Sequence, residues 1–174
     1  MKKIIFVTGV NGVGKTTAIR SLKSQLDSGF EVHDFDEQGV PVKATRQWRL
    51  EKTKYWIGLG TKNAEKGIIT IVCGFVRPSE INDNDTVGFI LLDANDDTIR
   101  ERLSNRHQTP ESIQRIESVT GKKLEKFIAD NANFATVMRQ EVAGFGETIV
   151  DTNNKTPDVV GKEVIDAVEK LAQS

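Results

Sequence analysis

Residues 9–16 constrain this chain most, because they read Gly-Val-Asn-Gly-Val-Gly-Lys-Thr and match G-x-x-x-x-G-K-[ST] at every fixed position. The apolar run Ile4-Ile5-Phe6-Val7 comes directly before them and predicts a strand that is buried on both faces. From Thr16 to Leu26, apolar residues recur at helical spacing. A glycine-rich loop between a buried strand and a helix is the context that this motif requires, so the sequence predicts a phosphate-binding loop.

The residue types in the loop suit the chemistry of phosphate. Glycines allow successive backbone N–H groups to surround an anion, and the helix N-terminus adds positive potential. Lys15 is predicted to reach the β- and γ-phosphates of ATP as a catalytic residue, and the Thr16 hydroxyl to bind Mg²⁺. The alternative is a glycine-rich turn without a ligand. The predicted nucleotide-binding residues here are Gly9, Asn11, Gly12, Val13, Gly14, Lys15, Thr16 and Thr17.

Size and charge limit the classes of protein and of partner. The chain has 174 residues, which predicts one domain over 1–174. Lys and Arg total 24 against 25 Asp and Glu, so no strong overall field favours nucleic acid or a membrane as a partner. The single cysteine, Cys73, cannot form an intramolecular disulfide. We expect a cytoplasmic monomer or homodimer that binds a small molecule.

Alternating apolar runs and helix-like stretches indicate the fold class. Including the first run, about five candidate strands are separated by helical patterns, which is typical of a parallel α/β sheet. Periodicity is weakest in two polar segments. We therefore expect residues 36–66 to form an acceptor-binding segment and residues 104–121 to form a mobile lid.

With this loop and this alternation, the chain resembles the small P-loop kinases, which include shikimate, gluconate and nucleoside monophosphate kinases. The resemblance extends from Ile4 to the C-terminal helix, although only the loop is a specific motif. It implies a three-layer P-loop NTPase fold with a five-stranded parallel sheet in the order 2-3-1-4-5. It also implies that ATP binds at the carboxyl edge of the sheet and that a short lid closes over the phosphates.

The segment His33-Asp34-Phe35-Asp36-Glu37 lies at the predicted carboxyl end of the second strand, where open α/β sheets bind ligands. Its Asp-x-Asp pattern is similar to that of shikimate kinases. That resemblance implies that Asp34 is the catalytic base and supports Mg²⁺, and that Asp36 contacts the acceptor. Because Asp is common in turns, a solvated acidic loop is the alternative.

The run Cys73-Gly74-Phe75-Val76-Arg77-Pro78 resembles the D-G-F-P-R run of adenylate kinase-like enzymes, but Cys73 replaces the acidic residue and Val76 the proline. The carboxylate that this family associates with magnesium is therefore missing. Gly74 is predicted to let the backbone approach the substrate. Arg77 is predicted to bind a phosphate or carboxylate, or else to pair with Glu80 at the surface.

Two arginines of Arg102-Leu103-Ser104-Asn105-Arg106 share one face of a predicted helix. The family carries an R-L-x-x-R run here, which implies that Arg102 packs on the adenine and that catalytic Arg106 reaches the transferring phosphate. A solvated helix face is the alternative. By the same resemblance, Asn153 after the last predicted strand belongs to the adenine pocket.

The polar segment contains both tryptophans and several arginines. Arg46, Arg49 and Trp56 are predicted to bind the acceptor, because stacking and cation–π contacts suit a planar base or sugar ring. The alternative is that Trp48 and Trp56 form the core of a small helical lobe.

These features predict an ATP-dependent phosphotransferase that acts on a small acceptor, such as a nucleoside or nucleotide. One alternative is a kinase for a hydroxyl compound that is not a nucleotide, as in shikimate or gluconate kinases. Another is an ATPase module without kinase activity, for which Cys73 and Asn95 or Asp93 are the nearest approaches to the Asp of a Walker B strand. The acidic pair suits a hydroxyl acceptor and the arginines suit an anion, so the acceptor stays open.

Overall fold

The computed structural model describes residues 1–42, 44–81, 85–143 and 148–173. Residue 43 of the predicted acceptor segment lies outside the described residues. The strands are β1 (Ile4–Thr8), β2 (Phe30–Asp34), β3 (Ile69–Cys73), β4 (Val87–Asp93) and β5 (Thr148–Asp151), and the helices are α1 (Lys15–Gln25), α2 (Arg46–Ala64), α3 (Asp96–Arg106), α4 (Pro110–Thr120), α5 (Leu124–Ala143) and α6 (Pro157–Gln173).

The strands form one parallel sheet in the order β2-β3-β1-β4-β5, which confirms the predicted architecture. β1 lies at the centre, and every one of its residues is buried because helices cover both faces of the sheet. Val7 and Asp34 both pair with Cys73 of β3. This register brings the carboxyl ends of three strands to one edge, where the phosphate-binding loop begins.

Two apolar clusters cover the two faces of the sheet. On one face, Ile5 and Val7 of β1 pack into a cluster that includes residues of α1, α5 and α6. On the other face, Ile4 and Phe6 pack with Trp56 of α2. Alternate residues of β1 therefore belong to opposite clusters, as the two-residue period of a strand requires. The result is a three-layer structure.

Most of the segment predicted as an irregular acceptor region is the 19-residue helix α2. The Thr45 hydroxyl caps this helix by accepting a hydrogen bond from Trp48 N at 3.1 Å. Its helical periodicity is weak in the sequence because the buried positions include Thr53, Gly60 and Asn63. A Cβ atom at Gly60 would lie 2.9 Å from Ile4 Cβ, so the small residue permits close packing on β1.

The segment predicted as a lid contains the end of α3 and all of α4. Thr109 caps α4, and Gly121 ends it with a left-handed backbone (φ 68°). No residue within the described span Pro110–Thr120 is buried, which is compatible with a helix that moves. Among the described residues, no helix has the length and apolar character needed to span a bilayer.

Candidate active site

The loop between β1 and α1 has the backbone that an anion cradle needs. Gly14 precedes α1 with a left-handed backbone (φ 104°), and no described side chain caps this helix by a hydrogen bond. A Cβ atom at Gly9 would lie 2.5 Å from the Leu92 carbonyl oxygen, so a larger residue there would displace the loop from β4. The N-terminus of α1 is thus open to a phosphate group.

Charged side chains from several parts of the site influence the pKa of Lys15. Its Nζ donates hydrogen bonds to the carbonyl oxygens of Gly9 at 2.8 Å and Val10 at 2.7 Å. Burial of the ammonium group, followed by the positive charge of Arg106, lowers the pKa of Lys15 to about 8. Asp36 and Asp34 act in the opposite direction. The lysine therefore lies among the acidic pair and the predicted lid arginine, as the sequence predicts.

A cavity of about 440 Å³ extends from the phosphate-binding loop towards the connection between β5 and α6. Its volume is within the usual range for a small-molecule site, roughly 300–1,000 Å³. The residues that line it come from both ends of the chain: Gly12, Val13, Gly14, Thr17, Arg102, Asn105, Arg106, Thr152, Lys155, Pro157 and Val160. Its position beside the open end of α1 makes it the candidate nucleotide cavity.

The two arginines of α3 are in different environments within this cavity. Arg102 donates from Nη1 to the Thr152 hydroxyl at 2.9 Å and from Nη2 to the Thr152 carbonyl at 2.7 Å. A longer bond of 3.3 Å joins its Nη1 to Gly12 O. Arg106 is exposed and, within the described residues, its side chain makes no hydrogen bond or ion pair. Arg102 therefore bridges two walls of the cavity, whereas the Arg106 guanidinium is available to a ligand.

Asn153 differs from the expectation for an adenine-pocket residue. Its Oδ1 accepts a hydrogen bond from Asn95 N at 3.0 Å, and its Nδ2 donates to Asp151 Oδ1 at 2.5 Å. Both contacts are directed at the start of α3 and the end of β5, and Asn153 is not among the residues that line the cavity. The adjacent Thr152 lines it instead. Sequence reasoning located the correct loop but missed Thr152 and Lys155.

The acidic pair forms a tight turn at the carboxyl end of β2. Asp36 N donates to Asp34 Oδ1 at 2.9 Å, and Asp34 N donates to Glu37 Oε2 at 3.2 Å. Desolvation of the Asp36 carboxyl, and then the nearby charge of Asp34, raise the pKa of Asp36. Since both carboxylates also influence the pKa of Lys15, they face the phosphate-binding loop. Their chemical roles stay predictions.

A second cavity, of about 250 Å³, lies next to Asp36 between the loop and the start of α2. The residues lining it are Asn11, Phe35, Asp36, Val40, Ala44, Thr45, Trp48, Arg49 and Phe75. A third cavity of about 270 Å³ shares Asn11 and Phe75 with it and reaches Phe127 and Phe134 on α5. We call the second one the acceptor cavity, because Asp36 of the acidic pair lines it.

The predicted anion-binding arginines are paired with carboxylates. Arg46 and Arg49 both bind Glu80, with Nε–Oε1 and Nη2–Oε1 distances of 2.9 and 2.8 Å. Burial alone would raise the pKa of Glu80, but the hydrogen bonds from Arg49 and Arg46 keep it below its usual value. Arg77 pairs with Glu141 of α5, not with Glu80 as the surface alternative supposed.

Trp56 is a core residue, so its predicted contact with the acceptor is wrong. Its side chain is fully buried, and its Nε1 donates to Phe35 O at 3.3 Å. The alternative of a core position describes both tryptophans, since Trp56 is fully buried and the partly buried Trp48 packs against the same cluster. Trp48 also lines the acceptor cavity. No signal in the sequence separated them.

Gly74 is constrained by packing. A Cβ atom there would lie 2.1 Å from Phe35 Cβ, so the glycine lets β3 and the turn after β2 approach closely. The residue is not among those that line the acceptor cavity, and its predicted contact with substrate stays a prediction.

The two residues predicted to bind Mg²⁺, Thr16 and Asp34, both offer oxygen atoms as ligands. Thr16 is exposed at the start of α1, and Asp34 lies at the end of β2. No group of three or more His, Cys, Asp and Glu side chains suited to a metal occurs among the described residues. Mg²⁺ usually takes one or two carboxylates together with phosphate oxygens and water, so this donor set fits it. Burial raises the pKa of Cys73 well above its usual value, so this thiol does not replace the missing acidic ligand.

Comparison with known proteins agrees with the fold and with the position of the loop. Residues 5–125 match the family described as the AAA domain, which is more than half of the chain. The chain therefore belongs to this family. It is 29% identical to a "Putative adenylate kinase" of Thermococcus gammatolerans, over 96% of this chain and 86% of the relative. A protein of the same name from Pyrococcus furiosus is also 29% identical, over 95% of this chain and 83% of the relative.

Solved structures with low sequence identity share the fold. A sugar kinase from Janibacter matches with a TM-score of 0.56 at 17% identity, covering 97% of this chain and 95% of that one. Shikimate kinase from Acinetobacter baumannii matches with a TM-score of 0.54 at 16% identity, covering 98% and 94%. At these identities the likeness shows the arrangement of strands and helices and carries no information about the acceptor.

Proposed function

We propose that this protein transfers the γ-phosphoryl group of ATP to a hydroxyl group of a small acceptor. The observation that carries the proposal is the position of Lys15. It lies in the phosphate-binding loop beside the nucleotide cavity, and the acidic pair next to the acceptor cavity influences its pKa. A phosphoryl group bound at the open end of α1 is then within reach of an acceptor on the other side.

Each step of the transfer has a candidate residue. Lys15 binds the phosphate oxygens, and Asp34 accepts the proton of the attacking hydroxyl. Arg106, which is exposed and without an ion-pair partner among the described residues, moves onto the charge that develops on the transferring group. Thr16 and Asp34 would hold Mg²⁺ together with the nucleotide, and the ion would neutralise part of the phosphate charge.

The names of the relatives favour a kinase but differ in the acceptor. Two curated relatives are named as adenylate kinases, whereas the solved structures of similar fold are kinases for a sugar and for shikimate. The acceptor class therefore has to come from the chemistry of the site. The alternative of an ATPase module is less favoured, because the acceptor cavity would have no role in it.

Asp34→Asn tests the proposal, since it preserves the shape of the side chain and removes its charge. We expect turnover to fall by about 10²–10⁴-fold, the usual contribution of a general base, while the affinity for ATP measured without Mg²⁺ changes little. The measurement is acceptor-dependent ADP formation together with ATP binding. Asp166→Asn on the outer face of α6 is the matched control and should leave both unchanged.

An ATPase module would give a different result. ADP formation would then be the same with and without every acceptor tried, and Asp34→Asn would retain the wild-type rate. Either observation would contradict the proposed phosphoryl transfer.

A further inference from the structure

The charge of the acceptor is the main question that the proposed function leaves open, and the acceptor cavity bears on it. Sequence reasoning offered two chemistries there, because the acidic pair suits a hydroxyl and Arg46, Arg49 and Arg77 suit an anion. In the folded chain all three guanidinium groups bind carboxylates of this same protein.

Glu80 is the partner of two of these arginines. Its side chain is only 5% exposed, and it accepts from Arg49 Nη2 at 2.8 and 3.1 Å and from Arg49 Nε at 3.2 Å. Arg46 adds a bond of 2.9 Å from its Nε. An anionic acceptor that took Arg49 for itself would weaken the pairing of a buried carboxylate, which is costly.

Arg77 is also paired with a carboxylate of this chain. It pairs with Glu141 of α5, whose side chain is 10% exposed, and its guanidinium lies 5.2 Å from the centre of the Phe134 ring. Of the lysines nearby, Lys52 donates to Gln38 Oε1 at 2.7 Å and interacts electrostatically with Asp36. Each of the three guanidinium groups therefore binds a carboxylate of this chain, with Arg46 and Arg49 sharing Glu80.

Three of the nine residues that line the acceptor cavity are aromatic, one is acidic and one is basic. Phe35, Trp48 and Phe75 contribute to it, with the Phe35 and Trp48 rings 6.1 Å apart in an edge-to-face arrangement. The Arg49 guanidinium lies 5.4 Å from the centre of the Phe75 ring. Aromatic rings offer a planar ligand stacking contacts that need no charge.

We propose that the acceptor is an uncharged hydroxyl compound with a planar ring, of which a nucleoside is the representative, and not a nucleoside monophosphate or a carboxylic acid. This rests on the proposed phosphoryl transfer and assigns its substrate class. The ring lies against Trp48 and Phe75, and a hydroxyl group faces Asp34 and Asp36, where a further negative charge would be repelled.

The test compares each nucleoside with its own 5′-monophosphate. The protein is saturated with Mg²⁺ and a non-hydrolysable ATP analogue, so that the nucleotide cavity is filled, and adenosine, thymidine, AMP, TMP, shikimate and gluconate are titrated by calorimetry. We expect at least one nucleoside to bind at least tenfold more tightly than its monophosphate and than either acid. Equal or tighter binding of a monophosphate or an acid, or no binding of either nucleoside, would overturn the inference.

Two variants examine the physical basis of the preference. Trp48→Ala should weaken nucleoside binding at least about tenfold, while Gln47→Ala, one residue earlier and exposed, should not change it. Glu80→Gln removes the charge that Arg46 and Arg49 share, so it should strengthen monophosphate binding relative to the wild type. Unchanged nucleoside affinity in Trp48→Ala would contradict the ring contact even if Glu80→Gln failed to fold.

Measurements of ADP formation distinguish a failure of this inference from a failure of the proposed phosphoryl transfer. If ADP formation depended on an acceptor and a monophosphate were preferred, the proposed phosphoryl transfer would be supported. The proposal of an uncharged acceptor would be wrong. Nucleoside binding with the expected preference, but with no ADP formed, would refute phosphoryl transfer while the cavity's ligand class remained correct.

Discussion

At the scale of single residues, Lys15 is subject to two opposing requirements. Contact with phosphate requires its positive charge, whereas burial and the nearby Arg106 disfavour that charge. Two backbone carbonyls, those of Gly9 and Val10, accept its hydrogen bonds and compensate in part for the lost solvation. The phosphates of a bound nucleotide would give the ammonium group a negatively charged partner.

The lowered pKa of Lys15 predicts how ATP affinity depends on pH. In the free protein, the ammonium is mostly protonated below pH 8 and mostly neutral above it, because its pKa is lowered to about 8. ATP binding needs the protonated form, so the dissociation constant should rise by up to about tenfold per pH unit above pH 8. Calorimetric titration of ATP from pH 6.5 to 9.5 measures this.

Lys15→Arg is the control for that titration, since its guanidinium stays charged throughout the range. Its ATP affinity should be nearly independent of pH, whatever its absolute value. A wild-type affinity that is flat across pH 8 would show that the ammonium keeps its ordinary pKa in the loop.

Arg102 and Arg106 should give opposite kinetic signatures, although they lie one helical turn apart. Arg102 binds Thr152 and Gly12 across the nucleotide cavity, so Arg102→Ala should weaken ATP binding first. Arg106 has no such contacts, so Arg106→Ala should reduce turnover by about 10²-fold or more with a small change in ATP affinity. ATP titration and acceptor-dependent ADP release on both variants measure the difference. Equally small effects in both assays would assign these arginines to a solvated helix face.

At the scale of secondary structure elements, α5 positions the phosphate-binding loop as well as supporting the lid. The Asn131 Oδ1 atom accepts hydrogen bonds from Asn11 N at 3.0 Å and from Asn11 Nδ2 at 3.1 Å. Asn131 Nδ2 in turn donates to Phe127 O at 2.8 Å within the same helix, which orients the amide. The loop is therefore tied to a helix that lies 120 residues further along the chain.

Replacing Asn131 by alanine should make the phosphate-binding loop less rigid but leave all of its phosphate-binding residues in place. Asn131→Ala removes both hydrogen bonds to Asn11, so ATP affinity should fall by about threefold to tenfold, in line with roughly 1 kcal/mol for a lost hydrogen bond. Asn133→Ala, on the exposed face of the same helix, is the control and should bind ATP like the wild type. Matching affinities for the two variants would refute a positioning role for Asn131.

At the scale of the whole molecule, the site depends on how closely neighbouring strand ends approach each other. The Thr8 hydroxyl donates to Val76 O at 2.7 Å and accepts from Val76 N at 3.0 Å, which joins the end of β1 to the segment after β3. Gly74 packs directly on Phe35, and Phe35 lines the acceptor cavity. The segment after β3 is thus joined to the central strand, and the turn after β2 packs on that segment through Phe35.

Gly74→Ala tests this close approach, because its new Cβ atom would lie 2.1 Å from Phe35 Cβ. We expect a loss of about 1–3 kcal/mol in the free energy of unfolding from overpacking, measured by urea denaturation. Gly58→Ala on α2 is the control, since nothing lies within 4 Å of its added Cβ atom. That control should be neutral or more stable by about 0.5–1 kcal/mol. A Gly74→Ala protein as stable as the wild type would mean that Phe35 moves freely.

The sequence alone was sufficient for the features that depend on neighbours in the chain. The phosphate-binding loop could be predicted because a buried strand, three glycines and a helix follow one another directly. The order of the strands came from resemblance and is confirmed by the pairing. A helix in the region of α2 was only an alternative in the sequence, because three of its four buried residues are polar or small.

Only the tertiary structure decided which charges and which rings are available to a ligand. Arg49 pairs with Glu80, which is 31 residues further along the chain, and Arg77 pairs with Glu141, which is 64 residues further along. Nothing in the local pattern distinguishes an arginine that binds substrate from one that neutralises a buried carboxylate, because the difference lies in a partner that packing brings near. Trp48 and Trp56 were indistinguishable for the same reason: the burial of a side chain is determined by the elements that cover it, and these come from distant parts of the chain.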